Sequence, residues 1–379
     1  MRNTFPDFLP WATIESIMDP SELRFFVYRK MAVDASRPLA VATDRVVVNQ
    51  DTLDGASVGG LYAELVRNTT AIQKSLQALS LDDGILVLEP IVSKLLARMI
   101  YCSNRIDDVG GDWDATMHLC QPIFRSKKST LDVYREELEY EALVDPCRQP
   151  RSTIVTPADI RREHEIIQHA KAAKYMLTEV YLHGHELSEE ILLNTHRIMT
   201  YNIDSADGAP PTEYGGVYRS SSAPSQTSEQ SASWFISQSV QHMIESLTTD
   251  LAGIEKDELL KAVSVASNYC HVFCNIRPFS EGNGRMGRLL LNAILLKTVG
   301  AVACLGNDTQ SRESLKAVGD SVCGSPKREQ VSPGKITATP HLHGPEALRS
   351  MVLKSVVEST RHLAKALRAE TGIRYSNAA

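Results

Sequence analysis

Apolar residues recur at helical spacing through much of the chain. Leu259, Val263, Ala266, Cys270 and Phe273 follow one another at steps of four and three, which places them on one face of a helix. Comparable periodicity predicts helices over residues 61–81, 89–107, 157–182, 188–199, 234–247, 257–276, 311–322 and 345–369, with a shorter one inside 110–129. The pattern therefore predicts a mostly helical protein.

Three residues mark predicted helix starts. Pro90 and Pro157 suit a first turn, because the amide hydrogen that proline lacks has no helical partner there. Ser188 is a candidate N-cap, whose hydroxyl accepts a hydrogen bond from a first-turn amide. We expect one helix to begin at each of these positions.

A polar, glycine-containing stretch, Arg277 to Arg288, separates two apolar segments. Pro278 ends the first helix, and a Gly-Asn-Gly triplet opens the second. Free amides and the helix dipole make such a helix start an anion site. Arg285 lies three residues before Arg288, so both project from nearly the same face, and a bound anion would offset their conflict with the dipole. Glu281 is placed to hold Mg²⁺ against phosphate oxygens, which predicts a polyphosphate site.

Composition and charge narrow the class of protein. The chain has 379 residues, 43% hydrophobic and 23% charged, enough for a sizeable core, and its length allows two or three domains. A net charge of −6 gives no reason to expect a nucleic-acid partner. The longest apolar run, 289–305, is interrupted by Asn292, Lys297 and Gly300, which indicates a buried helix and a turn, not a membrane span. We expect no membrane partner.

The cysteines and the N-terminal residues indicate the cellular compartment of the protein. Seven scattered cysteines without a Cys-x-x-Cys pair indicate reduced thiols. The chain does not open with a charged segment followed by an apolar one, so no secretory signal is predicted. We expect a cytoplasmic or nuclear protein. Cys270, His271 and Cys274 suggest a metal site, but Cys270 lies on the apolar stripe, so packing is the favoured interpretation.

The 277–288 stretch resembles the signature of the Fic (Fido) family, His-Pro-Phe-x-Asp/Glu-Gly-Asn-Gly-Arg-x-x-Arg. Every specified position agrees except the first, where Arg277 replaces the histidine. His271 and Phe273 also fit common family usage. An ordinary helix-loop-helix with a basic first turn would leave the Gly-Asn-Gly triplet unexplained.

The resemblance implies an all-α fold, a Fic-type helical bundle with a small β-hairpin flap. We expect the Fic domain over 95–310, an N-terminal region without an assigned role over 1–94, and a linker with a C-terminal helix over 311–379. In the family, the signature histidine accepts the proton of a Ser, Thr or Tyr hydroxyl, which attacks the α-phosphorus of ATP and receives AMP. The implied roles are Mg²⁺ binding by Glu281, phosphate cradling by Gly282, Asn283 and Gly284, and binding of the β- and γ-phosphates by Arg285 and Arg288.

The helix over 95–108 ends in a second motif. Ser103 and Asp107 resemble the Ser/Thr-x-x-x-Glu-Gly/Asn pattern of an inhibitory helix, with Asp107 in place of glutamate. In the family that glutamate pairs with the second signature arginine, here Arg288, and blocks the γ-phosphate of ATP. The alternative is a helix end whose acids face solvent. That alternative sets them against the helix dipole.

A third motif lies within 212–222. Gly216, Tyr218 and Arg219 resemble the Pro-Gly-x-Tyr-Arg flap of the family, with Gly215 in place of the proline. The resemblance implies that the flap pairs with an extended segment of a target or partner protein. A surface loop is the alternative, and the position of the motif before the signature favours the flap.

Arg277 cannot act as the family's base, because a guanidinium stays protonated and has no acceptor. Losing a general base typically lowers a rate by about 10²–10⁴-fold. His271 is six residues away on a helix and points about 120° from Arg277, so we do not expect it to substitute. Three interpretations stay open: a nucleotide-binding pseudoenzyme, a transferase with another base or donor, and a regulatory protein-interaction module.

Overall fold

A computed structural model describes residues 52–53, 56–79, 81–125, 156–220, 229–255, 258–323 and 345–371. In chain order the elements are β1 (Thr52–Leu53), β2 (Ala56–Ser57), α1 (Val58–Gln77), α2 (Leu81–Ile106), α3 (Trp113–Arg125), α4 (Pro157–Leu177), a π-helical turn (Thr178–Leu182), α5 (Glu189–Thr200), α6 (Pro211–Tyr214), α7 (Glu229–Ala252), α8 (Leu259–Ile276), α9 (Asn283–Thr298), α10 (Thr309–Cys323) and α11 (Pro345–Thr371). Of the described residues 78% are helical, which confirms the all-α prediction.

The only strands in the described ranges are β1 and β2, which form a two-residue antiparallel ladder just before α1. The predicted β-hairpin flap is not among them. Part of the flap, 221–222, lies outside the described residues, as does most of the predicted linker, 324–344.

Helix α9 lies at the centre of the core. Every residue from Met286 to Leu296 is buried, which is the pattern of a helix packed on all sides. Helix α8 packs along it and contributes Phe273, whose side chain is fully buried. The run 289–305 is thus a buried helix followed by a turn at Gly300 (φ 70°), as predicted. Among the described helices, none is both long and apolar enough to cross a membrane.

The two ends of the described chain meet in one packed unit. Helix α11 packs along α1, and both join the core that contains α2 and α9. Arg361 Nε donates to Glu64 Oε1 at 2.6 Å, and Asn68 Nδ2 donates to the Val357 carbonyl at 3.3 Å. Burying an aliphatic side chain such as Leu353 typically stabilises a protein by about 1.5–3 kcal/mol. Packing is therefore continuous across the expected boundaries at 94/95 and 310/311.

The helix starts predicted at Pro157 and Ser188 are confirmed, whereas the start predicted at Pro90 is wrong. Thr156 and Asp159 form a capping box around Pro157, and Ser188 Oγ accepts from Ile191 N at 3.2 Å. Helix α2, however, begins eight residues before Glu89 and runs through Pro90. Proline there leaves the Leu86 carbonyl without its helical partner. Leu86 is 68% exposed, so this position faces solvent, where the loss is tolerated.

Candidate functional site

A cavity of about 660 Å³ opens where α2, α8 and α9 meet. The end of α8, the loop 277–282 and the first turn of α9 form one wall, and the end of α2 with Asp107 forms the opposite one. Lys316 of α10 completes the rim. The volume is within the range of about 300–1,000 Å³ that small-molecule sites occupy.

Backbone geometry shapes the loop. Arg277 follows the last residue of α8 and adopts a left-handed backbone conformation (φ 48°). Gly282, which precedes the first residue of α9, is left-handed as well (φ 73°). Asn283 Nδ2 donates to the Phe279 carbonyl at 2.7 Å, while its Oδ1 accepts from Phe279 N at 3.0 Å. The Asn283 side chain therefore holds the loop together. No described side chain caps the N-terminus of α9, so its first-turn amides face the cavity as an anion site requires.

Gly284 keeps this anion site open. A Cβ atom there would lie 3.0 Å from Arg288 Nη1 and 3.4 Å from Asp107 Oδ1. Any side chain would therefore fill the space in front of the guanidinium group. Glycine at this position leaves a cradle of the kind that phosphate binding needs.

Arg285 and Arg288 converge on one carboxylate. Arg288 Nε donates to Ser103 Oγ at 2.7 Å, and its Nη2 donates to the Ser103 carbonyl at 3.1 Å. The same Nη2 lies 2.9 Å from Asp107 Oδ2, and Arg285 Nε lies 3.6 Å from that oxygen. Arg285 Nε is buried and makes no hydrogen bond among the described residues. The structure thus joins the two predicted motifs, Ser103 on α2 and Asp107 in the turn after it with Arg288 on α9.

Glu281 lies on the cavity wall. Its Oε1 accepts from Ala206 N at 2.6 Å, which fixes the orientation of the carboxylate. One oriented carboxylate beside a phosphate site is the usual protein contribution to bound Mg²⁺. Glu281 therefore fits the predicted metal role.

His196 of α5 joins the signature loop to the flap. Its Nε2 donates to the Glu281 carbonyl at 3.1 Å, and its Nδ1 accepts from Gly216 N at 2.9 Å. The ring stacks on Phe279 with centroids 3.7 Å apart and planes within 1°. Burial lowers the pKa of His196 to about 3, so the ring is neutral at pH 7. His196 lies in the helix predicted over 188–199, but no pattern in the sequence assigned it this role.

The described part of the flap segment is a short helix and a turn, followed by residues outside helices and strands, and the hairpin that the resemblance implied is not shown among them. Pro211 begins the short helix α6, and the Tyr214 hydroxyl anchors it by donating to the Ile203 carbonyl at 2.6 Å. Arg219 N then donates to the Pro278 carbonyl at 2.9 Å. In the described part of the flap, a backbone amide therefore bonds to the signature loop.

Flap side chains support the loop. Arg219 Nε donates to the Arg277 carbonyl at 2.6 Å, which places a cation at the negative end of α8. Tyr218 packs against Phe279 with ring centroids 5.7 Å apart. Burial, together with the nearby Glu189 carboxylate, raises the pKa of the Tyr218 hydroxyl. Gly216 adopts φ 69° and passes so close to α5 that a Cβ atom would lie 2.6 Å from the Leu193 carbonyl oxygen.

The remaining signature residue, Arg277, is exposed and lines the cavity. His271 and Cys274 line it as well, although helical geometry predicted that His271 would point away from Arg277. Burial lowers the pKa of His271 below its usual value. Cys270 is buried, as the packing interpretation predicted, and the metal-ligating groups found among the described residues do not include it.

The flap and the signature loop lie within a range that matches a known family. Residues 186–295 match the model of the Fic/DOC family, a range that includes the flap and most of the signature helix. Among solved structures, the chain is similar to a Fic domain containing signaling protein from Bacteroides thetaiotaomicron, with 15% identity and a TM-score of 0.48, covering 83% of this chain and 100% of that one. It is also similar to a fragment of Fic-1 from C. elegans, with 16% identity and a TM-score of 0.40, covering 83% and 95%. A search of curated proteins gave no match.

Proposed function

We propose that this chain, whose residues 186–295 form a Fic/DOC domain, binds ATP with Mg²⁺ and has lost most of the AMP transfer implied by its signature. The observation that carries the proposal is the convergence of Arg285 and Arg288 on Asp107 at the N-terminus of α9. Two partly buried guanidinium groups share one carboxylate oxygen there. A phosphate group offers three oxygens to the same donors.

Phosphate binding follows from three features of the cavity. Guanidinium groups bind phosphate through paired, charge-assisted hydrogen bonds. The first-turn amides of α9 and the space at Gly284 supply further donors and room. Arg277 and Lys316 add positive charge at the rim, against the carboxylates of Asp107 and Glu281. Because both positive groups and carboxylates line the cavity, these charges favour a polyanion accompanied by a divalent cation.

Mg²⁺, when bound, would supply positive charge against the negative charge that develops during transfer. Glu281 is the residue that would hold it, because Ala206 N fixes one oxygen of its carboxylate at the cavity wall. Oxygen ligands of this kind suit Mg²⁺.

Transfer requires a proton acceptor that position 277 does not provide. The attacking hydroxyl oxygen would form a bond to the α-phosphorus, the bond to the β-phosphate oxygen would break, and pyrophosphate would leave. The hydroxyl proton must go to a base. The Arg277 guanidinium has no acceptor atom. Binding should therefore survive while the rate falls by about 10²–10⁴-fold.

Asp107 is proposed to restrain the site. Its carboxylate occupies the position between Arg285 and Arg288 that an anionic ligand would take. Nucleotide binding must displace it, so the end of α2 competes with the terminal phosphate.

His271 supports a second candidate, a working transferase with a displaced base. It lines the cavity, and its lowered pKa keeps the ring neutral and able to accept a proton at pH 7. A third candidate is a regulatory module whose flap binds an extended partner segment. Val217 of the flap is 48% exposed.

The test combines binding and self-modification with α-labelled ATP and Mg²⁺. Wild type, Arg277→His, Asp107→Gly and the double variant are compared. Histidine tolerates the left-handed backbone of position 277 better than most residues, so the loop should keep its shape. We expect ATP to bind all four, most tightly where Asp107 is absent, and label to appear strongly only in the double variant.

Three other outcomes would change the conclusion. Absence of ATP binding to Asp107→Gly would contradict a nucleotide site. Strong labelling of wild type would contradict the loss of transfer, and its disappearance in His271→Asn would identify the displaced base. Binding without label in any variant would favour the regulatory module.

A further inference from the structure

A group of possible metal ligands lies away from the cavity, where α4 ends. The helix passes into the π-helical turn Thr178–Leu182, and His183 N donates to the Thr178 carbonyl at 2.8 Å. Gly184 then adopts φ 70°, and His185 N donates back to the Glu179 carbonyl at 3.0 Å. The chain therefore folds over its own last turn. Such π-helical turns frequently occur at functional sites.

This fold-back brings three side chains together. Glu179 Oε2 lies 2.9 Å from His185 Nδ1, and Glu179 Oε1 lies 3.5 Å from His183 Nδ1. The two imidazole rings meet edge to face with centroids 5.4 Å apart. One potential ligand atom from each residue lies within 4.8 Å of the others. Small rotations of exposed side chains would bring all three to the separations found around one ion.

We propose that Glu179, His183 and His185 bind one Zn²⁺ ion. Two imidazoles and one carboxylate form a donor set that suits Zn²⁺. Mg²⁺ and Ca²⁺ prefer sites in which every ligand atom is oxygen. Zinc accepts three protein ligands and leaves a fourth position to solvent. The His185 side chain is 61% exposed, which gives the ion a path of entry, while Glu179 is 19% exposed and held in place.

Charge near the site favours a cation. Glu179 and Glu190 both act on Tyr175, whose pKa is raised by burial and by these carboxylates. Glu186 follows the cluster directly in sequence. A bound divalent ion would offset the charge of these carboxylates. A hydrogen-bonded His–Glu–His group without metal is the alternative.

The position of the site indicates a structural role. The π-helical turn packs against α9, and the segment after it leads into α5, which carries His196. None of the three ligands lines the cavity. The ion would therefore stabilise the junction between α4 and α5 without touching bound nucleotide. The zinc site does not depend on the proposed function.

The experiment uses the full chain without a histidine tag, stripped with a chelator and then given Zn²⁺ in the absence of nucleotide. Bound zinc per chain is measured after desalting, and thermal unfolding is followed with and without zinc. Wild type is compared with Glu179→Gln and with the His183→Ala/His185→Ala double variant. His242→Ala, which removes an exposed histidine of α7 outside the cluster, is the matched control.

We expect wild type and His242→Ala to hold one more zinc ion per chain than the double variant. Loss of an outer partner already weakens metal sites by about 10–100-fold, so Glu179→Gln should weaken binding at least tenfold. Zinc should raise the unfolding temperature of wild type and His242→Ala only. The thiols are the same in every variant, so zinc held by cysteines cancels in the comparison.

Equal zinc content in wild type and the double variant would overturn the proposal, and would leave the cluster as hydrogen-bonded histidines. Should the double variant fail to fold, Glu179→Gln decides the question, because it keeps both imidazoles and the shape of the carboxylate. Unchanged zinc affinity in Glu179→Gln would overturn the proposal on its own.

Discussion

Asp107 Oδ2 lies 2.9 Å from Arg288 Nη2 and 3.6 Å from Arg285 Nε, so a single carboxylate oxygen serves two guanidinium groups. Aspartate is one methylene shorter than the glutamate of the family pattern and reaches Arg288 through one oxygen only. Ser103 supplies the remaining contacts of Arg288. The Asp107 carboxylate at the end of α2 therefore occupies the proposed anion site, by a contact that we expect a stronger anion to displace.

Removing the charge of Asp107 should strengthen nucleotide binding. Asp107→Asn keeps the size of the side chain but gives Arg285 and Arg288 no competing anion. We expect the Kd for ATP to fall about tenfold, equivalent to about 1.4 kcal/mol. Calorimetric titration with ATP and Mg²⁺ measures it.

Asp108→Asn is the matched control for that measurement. Asp108 pairs with Lys316 at the surface, and its side chain is 78% exposed, so solvent screens its charge. Asparagine also tolerates its left-handed backbone (φ 55°). We expect a change of less than about twofold. Equal gains in both variants would mean that Asp107 acts through general charge and not through its contact with the arginines.

Gly216→Ala should destabilise the protein more than Gly208→Ala. Both glycines have positive φ, 69° and 82°, so alanine carries the same backbone penalty of about 1–2 kcal/mol at each. Only at Gly216 does a Cβ atom meet a carbonyl oxygen, that of Leu193, at 2.6 Å; nothing lies within 4 Å at Gly208. We expect an additional loss of about 1–3 kcal/mol at Gly216. Urea unfolding of the two variants measures the difference, and similar losses would contradict the close approach of flap and α5.

Stability should fall as the pH drops below the ordinary histidine pKa. Burial lowers the pKa of His196 to about 3 and that of His169 well below its usual value. Between these values and about 6.5 the unfolded chain takes up protons that the folded chain does not. Each histidine therefore lowers the free energy of unfolding by up to about 1.4 kcal/mol per pH unit in that window, and by nothing above it.

Urea unfolding at pH 7.5, 6.5 and 5.5 tests this sign and slope. His169→Gln removes one such group, together with the hydrogen bond from His169 Nδ1 to Asn104 Oδ1 at 2.7 Å. The variant should be less stable at every pH but should show a shallower pH dependence. An unchanged slope would mean that His169 does not stay neutral in the folded protein.

Cys274 should react before the other described cysteines. A hydrogen bond with the Cys270 thiol, together with Arg288 and Arg277 nearby, lowers the pKa of Cys274, which lines the cavity. Burial raises the pKa of Cys102 to about 11 and that of Cys120 to about 12. The thiolate is the reactive form, so limited N-ethylmaleimide should modify Cys274 first.

Peptide mapping by mass spectrometry identifies the modified residue. ATP with Mg²⁺ should slow the reaction at Cys274 if nucleotide fills the cavity, whereas Cys274→Ser should lose the rapid phase altogether. Faster modification of Cys102 or Cys120 would contradict the assignment of Cys274 as the most reactive of the described thiols.

Elements that depend on neighbouring residues could be predicted from the sequence. The stripe from Leu259 to Phe273 lies on the buried face of α8, and Thr156 and Ser188 cap helices that begin where the pattern placed them. Such signals have short range, because helical periodicity and capping involve residues only three or four positions apart. Pro90 misled the prediction for α2, since proline is also tolerated inside a helix where its position faces solvent.

The spacing of the signature likewise predicted that Glu281, Arg285 and Arg288 lie together at one loop and helix start. Asp107 and Arg288 are 181 residues apart, however, and their contact depends on how α2 packs against α9. The motif suggested this pair, but its distances and its sharing with Arg285 came from the packing. The motifs included Arg219 and Asn283, but nothing in the sequence indicated the hydrogen-bond partners of these two residues or of His196, because a polar side chain can satisfy its hydrogen bonds in many ways.

Local pattern therefore specified the helices and the residue types of the anion site. Tertiary packing specified which partners these residues meet: Asp107 between two arginines, His196 between the loop and the flap, and the fold-back at Gly184 that brings Glu179 to two histidines. The reason is physical. Periodicity and turn chemistry act within a few residues, whereas contacts between distant segments form only when whole helix faces bury one another.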